Sequence, residues 1–292
     1  MEACATAHHW ARELTRLGHT VRLMPASYVK AYVKRSKNDA ADAAAICEAV
    51  TRPSMRFVPV KTAEQQAALM LHRTRDLLIR QRTQLVNALR AHLADLGMVA
   101  AQGRDGVKEL AAIVFDETNI SLPRPMRDAL QALVAQLGAL REQIDALERR
   151  IHAQHRASDA SRRLETIPGI GVIGATAIAA TVTDPAVFRS GREFAAWIGL
   201  VLRQNSSGGK ERLGGISKQA DRYLRRLLIV GATAVLRYAR SRPDKHPWLM
   251  RLLARRPAKV AAVALANKMA RMAWAALARG EFYRAPVVAA TV

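Results

Sequence analysis

Three carboxylates near the start of the chain are of the type that holds a divalent cation. Asp39 and Asp42 are three residues apart at the start of an Ala-rich helix, so both project from nearly the same face. With Glu2 from a neighbouring strand they would form an oxygen ligand set for Mg²⁺, an ion that assists attack on phosphodiesters. Acidic residues also favour the first turn of a helix because of its dipole, and the spacing leaves that simpler interpretation open.

A second candidate is the segment RQNSSGGKERLGGISK, residues 203–218, which joins two predicted helices. It combines serines and glycines with four cations, which are Arg203, Lys210, Arg212 and Lys218. Backbone donors and cationic side chains could surround a phosphate here, so that Ser207 or the adjacent Ser206 acts as a nucleophile. The alternative is a flexible linker, which Gly- and Ser-rich segments commonly form.

Two further segments have features of a nucleic-acid contact. The sequence IPGIG, residues 167–171, precedes a helix, so Gly169 and Gly171 would leave backbone N–H groups free for a phosphate, as in a helix-hairpin-helix. An ordinary tight turn between helices explains the glycines equally well. Farther along, Arg222 and Arg225 follow Asp221 at the start of a basic helix, where cations are expected to contact a backbone rather than a base.

The charge of the chain points to the same class of partner. Its 292 residues carry 46 Lys and Arg against 24 Asp and Glu, a net charge of +22, and half of the residues are hydrophobic. The last 92 residues hold 19 basic and four acidic side chains, whereas residues 101–200 are neutral overall. We therefore expect a folded protein that binds nucleic acid in a salt-dependent way, with a generally basic surface as the alternative.

Composition also excludes several classes of protein. The two cysteines, Cys4 and Cys47, provide neither a disulfide framework nor a zinc-finger spacing. No uncharged apolar run is long enough to span a membrane, and the N-terminus has no apolar signal-peptide core. We expect a cytoplasmic, nucleoid-associated protein with no membrane partner.

Hydrophobic periodicity predicts a mixed, mostly α fold. Helices at residues 7–17 and 39–50, a short strand at 21–24 and an extended piece at 57–60 resemble part of an α/β domain. A long helix is expected at residues 62–97, followed by a loop at 102–109. The next helix carries a heptad pattern over residues 130–151, which predicts coiled-coil packing, either with the first long helix or between chains.

Beyond residue 163 the chain is punctuated by glycines. We predict helices at residues 172–181, 191–199, 217–240 and 257–279, the third headed by Ser217 and Asp221. The C-terminal half is therefore expected to be all α.

Seven segments in this order resemble the insertion-sequence 110/1111 family of bacterial transposases over essentially the whole chain. They are EACATAHHWARELTRLGHTVRL, KRSKNDAADAAAICEAVTRPSMRFVPVK, IPGIG, FAAWIGL, RQNSSGGKERLGGISK, YLRRLL and ALANKMARMAW. Their order and spacing together are far more specific than any one of them.

The resemblance implies three parts. Residues 1–60 would belong to an RNase H-like (RuvC-like) domain with a DEDD tetrad, 61–157 to a coiled-coil linker, and 158–292 to a transposase domain with a helix-hairpin-helix and a serine loop. Glu2, Asp39 and Asp42 match tetrad positions that bind Mg²⁺, and Ser207 matches the nucleophile that forms a 5′-phosphoserine. The partners implied are DNA, a structured guide RNA and further copies of the chain, as a dimer or tetramer.

The chain departs from the family at its N-terminus. The first Asp of the tetrad precedes the Glu in the family, but here the Glu is residue 2. We therefore expect an N-terminally truncated form, weak metal binding by the remaining carboxylates, and poor folding of residues 1–60 in isolation. The leading interpretation is a DNA transposase; the alternative is a non-catalytic DNA- or RNA-binding remnant of one.

Overall fold

A computed structural model of the protein describes residues 1–34, 38–219 and 221–284. Residues 35–37 of the KRSKNDAAD segment lie outside these ranges. Over the described residues the chain is mostly helical, with a single two-stranded sheet, as the mixed, mostly α prediction requires. In this part of the chain no helix is long and apolar enough to cross a membrane.

The N-terminal region consists of short helices joined by extended segments. Its helices are α1 (Ala7–Arg16), α2 (Ala26–Val29) and α3 (Asp39–Val50), with a 3-10 turn at Lys30–Tyr32. The strand predicted at residues 21–24 is reduced to isolated bridges, from Met24 to Glu2 and from Leu23 to Val58. Pro25 follows directly and has no N–H for a ladder, so the pairing stops there. Two small cores, rich in alanine, hold this region together.

Two long helices pack antiparallel against each other within the chain. They are α4 (Ala63–Ala94) and α6 (Arg124–Ala157). The Arg75 guanidinium of α4 donates to Glu148 of α6, with Nε 2.8 Å from Oε1. At the other end, Leu89 and Leu93 share a core with Leu130 near the start of α6. Of the two arrangements that the heptad pattern left open, these contacts correspond to packing within one chain.

The loop predicted at residues 102–109 is wrong, because helix α5 (Arg104–Phe115) covers most of it. Gly103 precedes the helix with a φ of 110°. Leu110 and Val114 of α5 are buried against the core shared by α4 and α6. Burial of this apolar face outweighs the glycines and charges that indicated a loop.

The C-terminal region is built around the largest core of the protein. Its helices are α7 (Asp159–Glu165), α8 (Val172–Thr181), α9 (Gly191–Trp197), α10 (Arg222–Ser241), α11 (Pro247–Leu253) and α12 (Ala258–Arg279), with 3-10 turns at Pro185–Val187 and Pro243–Lys245. The alanine-rich face of α12 is buried, which lets α9 and α10 approach it closely. Phe194, Leu224 and Met269 are fully buried in this core.

The all-α prediction for the C-terminal half is wrong at the serine segment. There, strands β1 (Leu202–Gln204) and β2 (Leu213–Ile216) form an antiparallel hairpin. The predicted helix at 217–240 accordingly begins at Arg222. Ser217 instead extends the hairpin, with its N–H donating to Val201, and Asp221 caps α10.

Candidate functional site

Ser207 occupies the tip of the hairpin. The Lys210 N–H donates to the Ser207 carbonyl at 3.1 Å, and the two residues between them, Gly208 and Gly209, have φ of 57° and 74°. Two central residues with positive φ are typical of a type I′ turn, whose twist suits an antiparallel hairpin and which favours glycine. The serine segment is therefore an ordered hairpin, and the flexible-linker interpretation is not the one found.

The two candidate serines have different surroundings. The Ser206 hydroxyl oxygen accepts a hydrogen bond from the Arg212 N–H at 3.1 Å across the hairpin. The Ser207 hydroxyl is exposed and makes no hydrogen bond to any residue that the structure describes. Of the two hydroxyls, that of Ser207 is therefore the one with unoccupied lone pairs facing solvent at the tip.

The four predicted cations, Arg203, Lys210, Arg212 and Lys218, are all exposed on or beside the hairpin. Within the described residues none of them forms an ion pair. Unpaired cations in water lose little on meeting a phosphate, and they can stabilise the charge that develops on a phosphate under attack. The hairpin segment thus combines a free hydroxyl with a net positive charge, since its four cations outnumber the one carboxylate, that of Glu211.

Arg225 holds the base of the hairpin. Its side chain is 8% exposed, and its guanidinium donates to the carbonyls of Ile198, at 2.8 Å, and of Gln219, at 2.6 Å. These carbonyls lie on either side of the hairpin, so one side chain fixes the spacing of both its ends. This geometry favours a structural role for Arg225 over the nucleic-acid contact that the sequence predicted.

Two other residues, Gly199 and Asn267, help to fix the base of the hairpin. Gly199 has a φ of 79°, and a Cβ on it would lie 2.5 Å from the Gln219 nitrogen, so any side chain is excluded. Asn267 of α12 donates from Nδ2 to the Leu200 carbonyl at 3.1 Å. Sequence reasoning missed both residues, although each lies in a segment, FAAWIGL or ALANKMARMAW, that carries the family resemblance.

The three predicted metal ligands do not form a three-ligand cluster. Glu2 lies in an extended segment bridged to Met24, whereas Asp39 and Asp42 lie in the first turn of α3. Among the described residues no three His, Cys, Asp or Glu side chains come together as ligands for a metal ion. The residues present therefore do not fit the Mg²⁺ site that the sequence predicted, and the helix-dipole interpretation accounts for Asp39 and Asp42.

The IPGIG segment forms a turn between α7 and α8. Gly169 has a φ of 90°, and its carbonyl oxygen would lie 1.9 Å from a Cβ on Gly231 of α10. The two glycines therefore permit close contact between this turn and α10. Gly171 is the exposed N-cap of α8, whose first N–H groups receive no side-chain cap. Gly169 serves packing, while the end of α8 next to Gly171 is open to solvent.

The start of α10 also contacts α4. Arg226 pairs with Asp76, and the Tyr223 hydroxyl is 3.1 Å from Nδ1 of His72. Burial, with a smaller contribution from Arg75, lowers the pKa of His72 to about 4, and burial raises the pKa of Tyr223. Of the basic residues opening α10, Arg222 remains exposed and available to a ligand.

Two protein-family models match this chain, one in its N-terminal part and one in its C-terminal part. Residues 1–98 match the family model DEDD Tnp IS110, described as a transposase. Residues 161–246 match the model of the transposase IS116/IS110/IS902 family. A probable family 20 transposase of Pseudomonas aeruginosa is 52% identical over 97% of this chain and 85% of its own length. The chain belongs to this transposase family.

Further relatives support the assignment. The transposase for insertion sequence element IS1111A of Coxiella burnetii is 42% identical, over 97% of this chain and 78% of its own length. The transposase for insertion sequence element IS1328 of Yersinia enterocolitica is 40% identical, over 97% of this chain and 84% of its own length. The resemblance stated from the sequence motifs is thus confirmed. The IS116/IS110/IS902 match includes the serine hairpin and Arg225.

Proposed function

We propose that this transposase recombines DNA with Ser207 as its nucleophile. The observation that carries the proposal is the hairpin, which presents an exposed hydroxyl without a described protein partner at its tip and carries four exposed cations along its length and at its base. Family membership supplies the reaction class, and the hairpin supplies a group able to perform it. We also infer that residues 1–60, 61–157 and 158–292 correspond to RNase H-like, coiled-coil and transposase parts, the last with a helix-hairpin-helix.

In the proposed step the Ser207 Oγ attacks a DNA phosphorus. A bond from Oγ to phosphorus forms while the bond to the 3′ oxygen breaks, which leaves a 5′-phosphoserine and a 3′ hydroxyl. The hydroxyl proton of the serine is transferred overall to the departing 3′ oxygen. Arg203, Lys210 and Arg212 would stabilise the added negative charge on the phosphate, and Arg225 would hold the hairpin in position.

The match to the DEDD family model favours use of a divalent cation. The described residues bring no three candidate ligands together, so further ligands would be needed to hold the ion. Strand β1 is exposed throughout and β2 at alternate residues, which leaves surface of the hairpin available to a second chain. We propose a dimer or tetramer, with a structured guide RNA as a further partner, and activity in the cytoplasm on nucleoid DNA.

A covalent adduct tests the nucleophile. The protein is incubated with labelled DNA carrying element ends and with candidate guide RNA, and protein-linked label is measured on a denaturing gel. Ser207→Ala should abolish the adduct. The matched variant Ser206→Ala should retain most of it, because it leaves the proposed nucleophile in place and removes only one hydrogen bond within the hairpin. An adduct of wild-type yield from Ser207→Ala would refute the assignment.

The second candidate function is a non-catalytic nucleic-acid-binding remnant. The observation that favours it is that no three His, Cys, Asp or Glu side chains form a metal-ligand cluster among the described residues. Such a remnant would bind DNA or RNA through the cations of the hairpin and of α10 without cutting. It would show no strand cleavage in the presence of Mg²⁺ or Mn²⁺, whereas a working transposase would cleave.

A further inference from the structure

A cleft between α4, α5 and α6 carries positive charge far from the serine hairpin in the chain. Its volume is about 580 Å³, and five cationic side chains from the three helices line it, together with one carboxylate, that of Asp145. They are Arg82, Arg90, Arg104, Lys108 and Arg141. Three of them, Arg104, Lys108 and Arg141, come from residues 101–200, which are neutral overall, so their meeting with Arg82 and Arg90 of α4 in one cleft is brought about by the fold.

Two of the five cations are engaged within the protein. Arg90 donates to the carbonyls of Ala100 and Ala101, and Lys108 pairs with Asp105 at 3.1 Å. The remaining three, Arg82, Arg104 and Arg141, are exposed and form no ion pair with a described residue. They come from three different helices, so folding, and not the spacing along one helix, brings them to one cleft.

The rest of the cleft suits a ligand that is anionic and partly apolar. Val86, Val134 and Leu137 provide aliphatic surface beside the guanidinium groups. Helix α5 starts at the cleft after Gly103, which provides no side-chain cap for its first N–H groups. The positive end of the helix dipole adds to the charge of the arginines. Planar guanidinium groups match the geometry of phosphate oxygens.

We propose that this cleft binds the phosphodiester backbone of a nucleic acid, as a site separate from the serine hairpin. The inference rests on the proposed function, since a nucleic acid must be a ligand of the whole protein. DNA and RNA share the backbone chemistry, and the experiment distinguishes them.

The test compares two triple variants of the full chain that remove the same charge. Arg82→Gln, Arg104→Gln and Arg141→Gln change the cleft. Three other exposed arginines of α6 serve as the control, namely Arg124→Gln, Arg149→Gln and Arg150→Gln. Binding of duplex DNA, duplex RNA and single strands of one sequence is measured by fluorescence anisotropy over a range of salt concentrations.

We expect the cleft variant to bind at least tenfold more weakly than the control at low salt. Loss of three phosphate contacts should also reduce the slope of log K against log salt by roughly 2 to 3. A loss confined to RNA or to DNA assigns the cleft to that polymer, and equal losses assign it to both. Equal binding by the cleft and control variants would overturn the inference.

A second pair of variants leaves all the arginines in place. Gly138 of α6 lines the cleft, and a Cβ there meets nothing within 4 Å. Gly138→Glu should weaken binding several-fold by adding a negative charge, whereas Gly138→Ala should bind like the wild type; equal binding by the two would contradict the proposal. A wild type that binds no nucleic acid would defeat the proposed function as well. A wild type that forms the Ser207 adduct while the cleft variant behaves like its control would defeat the cleft alone.

Discussion

The two candidate catalytic regions differ in how their side chains are positioned. Ser207 lies at the tip of a hairpin whose base is held by a buried arginine and by an asparagine from another helix. Glu2 lies in an extended segment bridged to Met24, Asp39 and Asp42 lie in the first turn of α3, and no three such side chains come together as metal ligands among the described residues. The serine site is thus positioned by this chain alone, whereas the acidic residues are not assembled within the described residues.

The packing of the two regions follows the same division. Among the described residues, 25 buried residues form the core of the C-terminal region, including Phe194 and several leucines and isoleucines, against seven in the two N-terminal cores together. Since burial free energy scales with apolar area, the C-terminal region has much more stabilisation to oppose strain at its site. A group that must be held in a fixed position benefits from such a support.

The largest effect is expected from Arg225→Met. The variant leaves the carbonyls of Ile198 and Gln219 without a donor, so the free energy of unfolding should fall by about 3 kcal/mol. Adduct formation through Ser207 should fall by at least tenfold even under conditions where the variant is folded. Denaturant titration and the gel assay measure the two effects. The control is Arg237→Met, which changes an exposed arginine on the same helix. If both variants have the same free energy of unfolding and the same adduct yield, Arg225 does not hold the hairpin in position.

His72 tests the contact between α4 and the start of α10. Its pKa is about 4 in the folded protein against 6.5 when unperturbed, so the unfolded state takes up the proton first. The wild type should therefore lose on the order of 3 kcal/mol of stability as the pH falls from 6.5 to about 4. His72→Gln should remove this part of the pH dependence, and the exposed His152→Gln should not. Parallel profiles of stability against pH for the wild type and His72→Gln would contradict the lowered pKa of His72.

Asn267→Ala should have a smaller effect. It removes the hydrogen bond to the Leu200 carbonyl, so the free energy of unfolding should fall by about 1 kcal/mol and the adduct yield should decrease several-fold. Asn267→Asp provides a stricter variant, because a carboxylate cannot donate to that carbonyl. If both variants form the adduct at the wild-type rate, α12 does not help to position the hairpin.

The smallest effect is expected at the acidic residues. Because no three carboxylates meet, millimolar Mg²⁺ should raise the melting temperature of the wild type and of the double variant Asp39→Asn, Asp42→Asn equally. Thermal unfolding with and without the ion measures this. A stabilisation by Mg²⁺ that the double variant lacks would show that the acidic residues form a site in the protein alone.

Sequence periodicity predicted the elements whose form depends on local signals. Helix α3 was expected at residues 39–50 and is found there, with Asn38 as its cap, and α12 begins one residue after its Pro257 signal. The sequence predicts a loop where helix α5 begins. The helix is stabilised by burial of Leu110 and Val114 against α4 and α6, which the local glycines and charges do not indicate. The hairpin differs from the all-α prediction because Gly- and Ser-rich segments are typical of linkers, although adjacent glycines such as Gly208 and Gly209 also indicate a type I′ turn.

The residues of the candidate site could be predicted from the sequence, but the contacts that hold them in position could not. Ser207 and its cations could be found from the residues in one segment, together with the family resemblance. The burial of Arg225 could not, because its partners Ile198 and Gln219 are brought to it only by the packing of α9 against the core. The lack of a three-carboxylate cluster among the described residues likewise depends on tertiary contacts, which no local pattern predicts. The division into 1–60, 61–157 and 158–292 stays a prediction.

The central claim is that the hairpin presents Ser207, and not its neighbour, to the DNA. The most direct measurement is mass spectrometry of the protease-resistant nucleotide–peptide product from a trapped adduct. The account predicts a nucleotide linked through its 5′ phosphate to Ser207, in a peptide that contains Ser206 unmodified. A linkage at Ser206, or at any residue outside the hairpin, would contradict it.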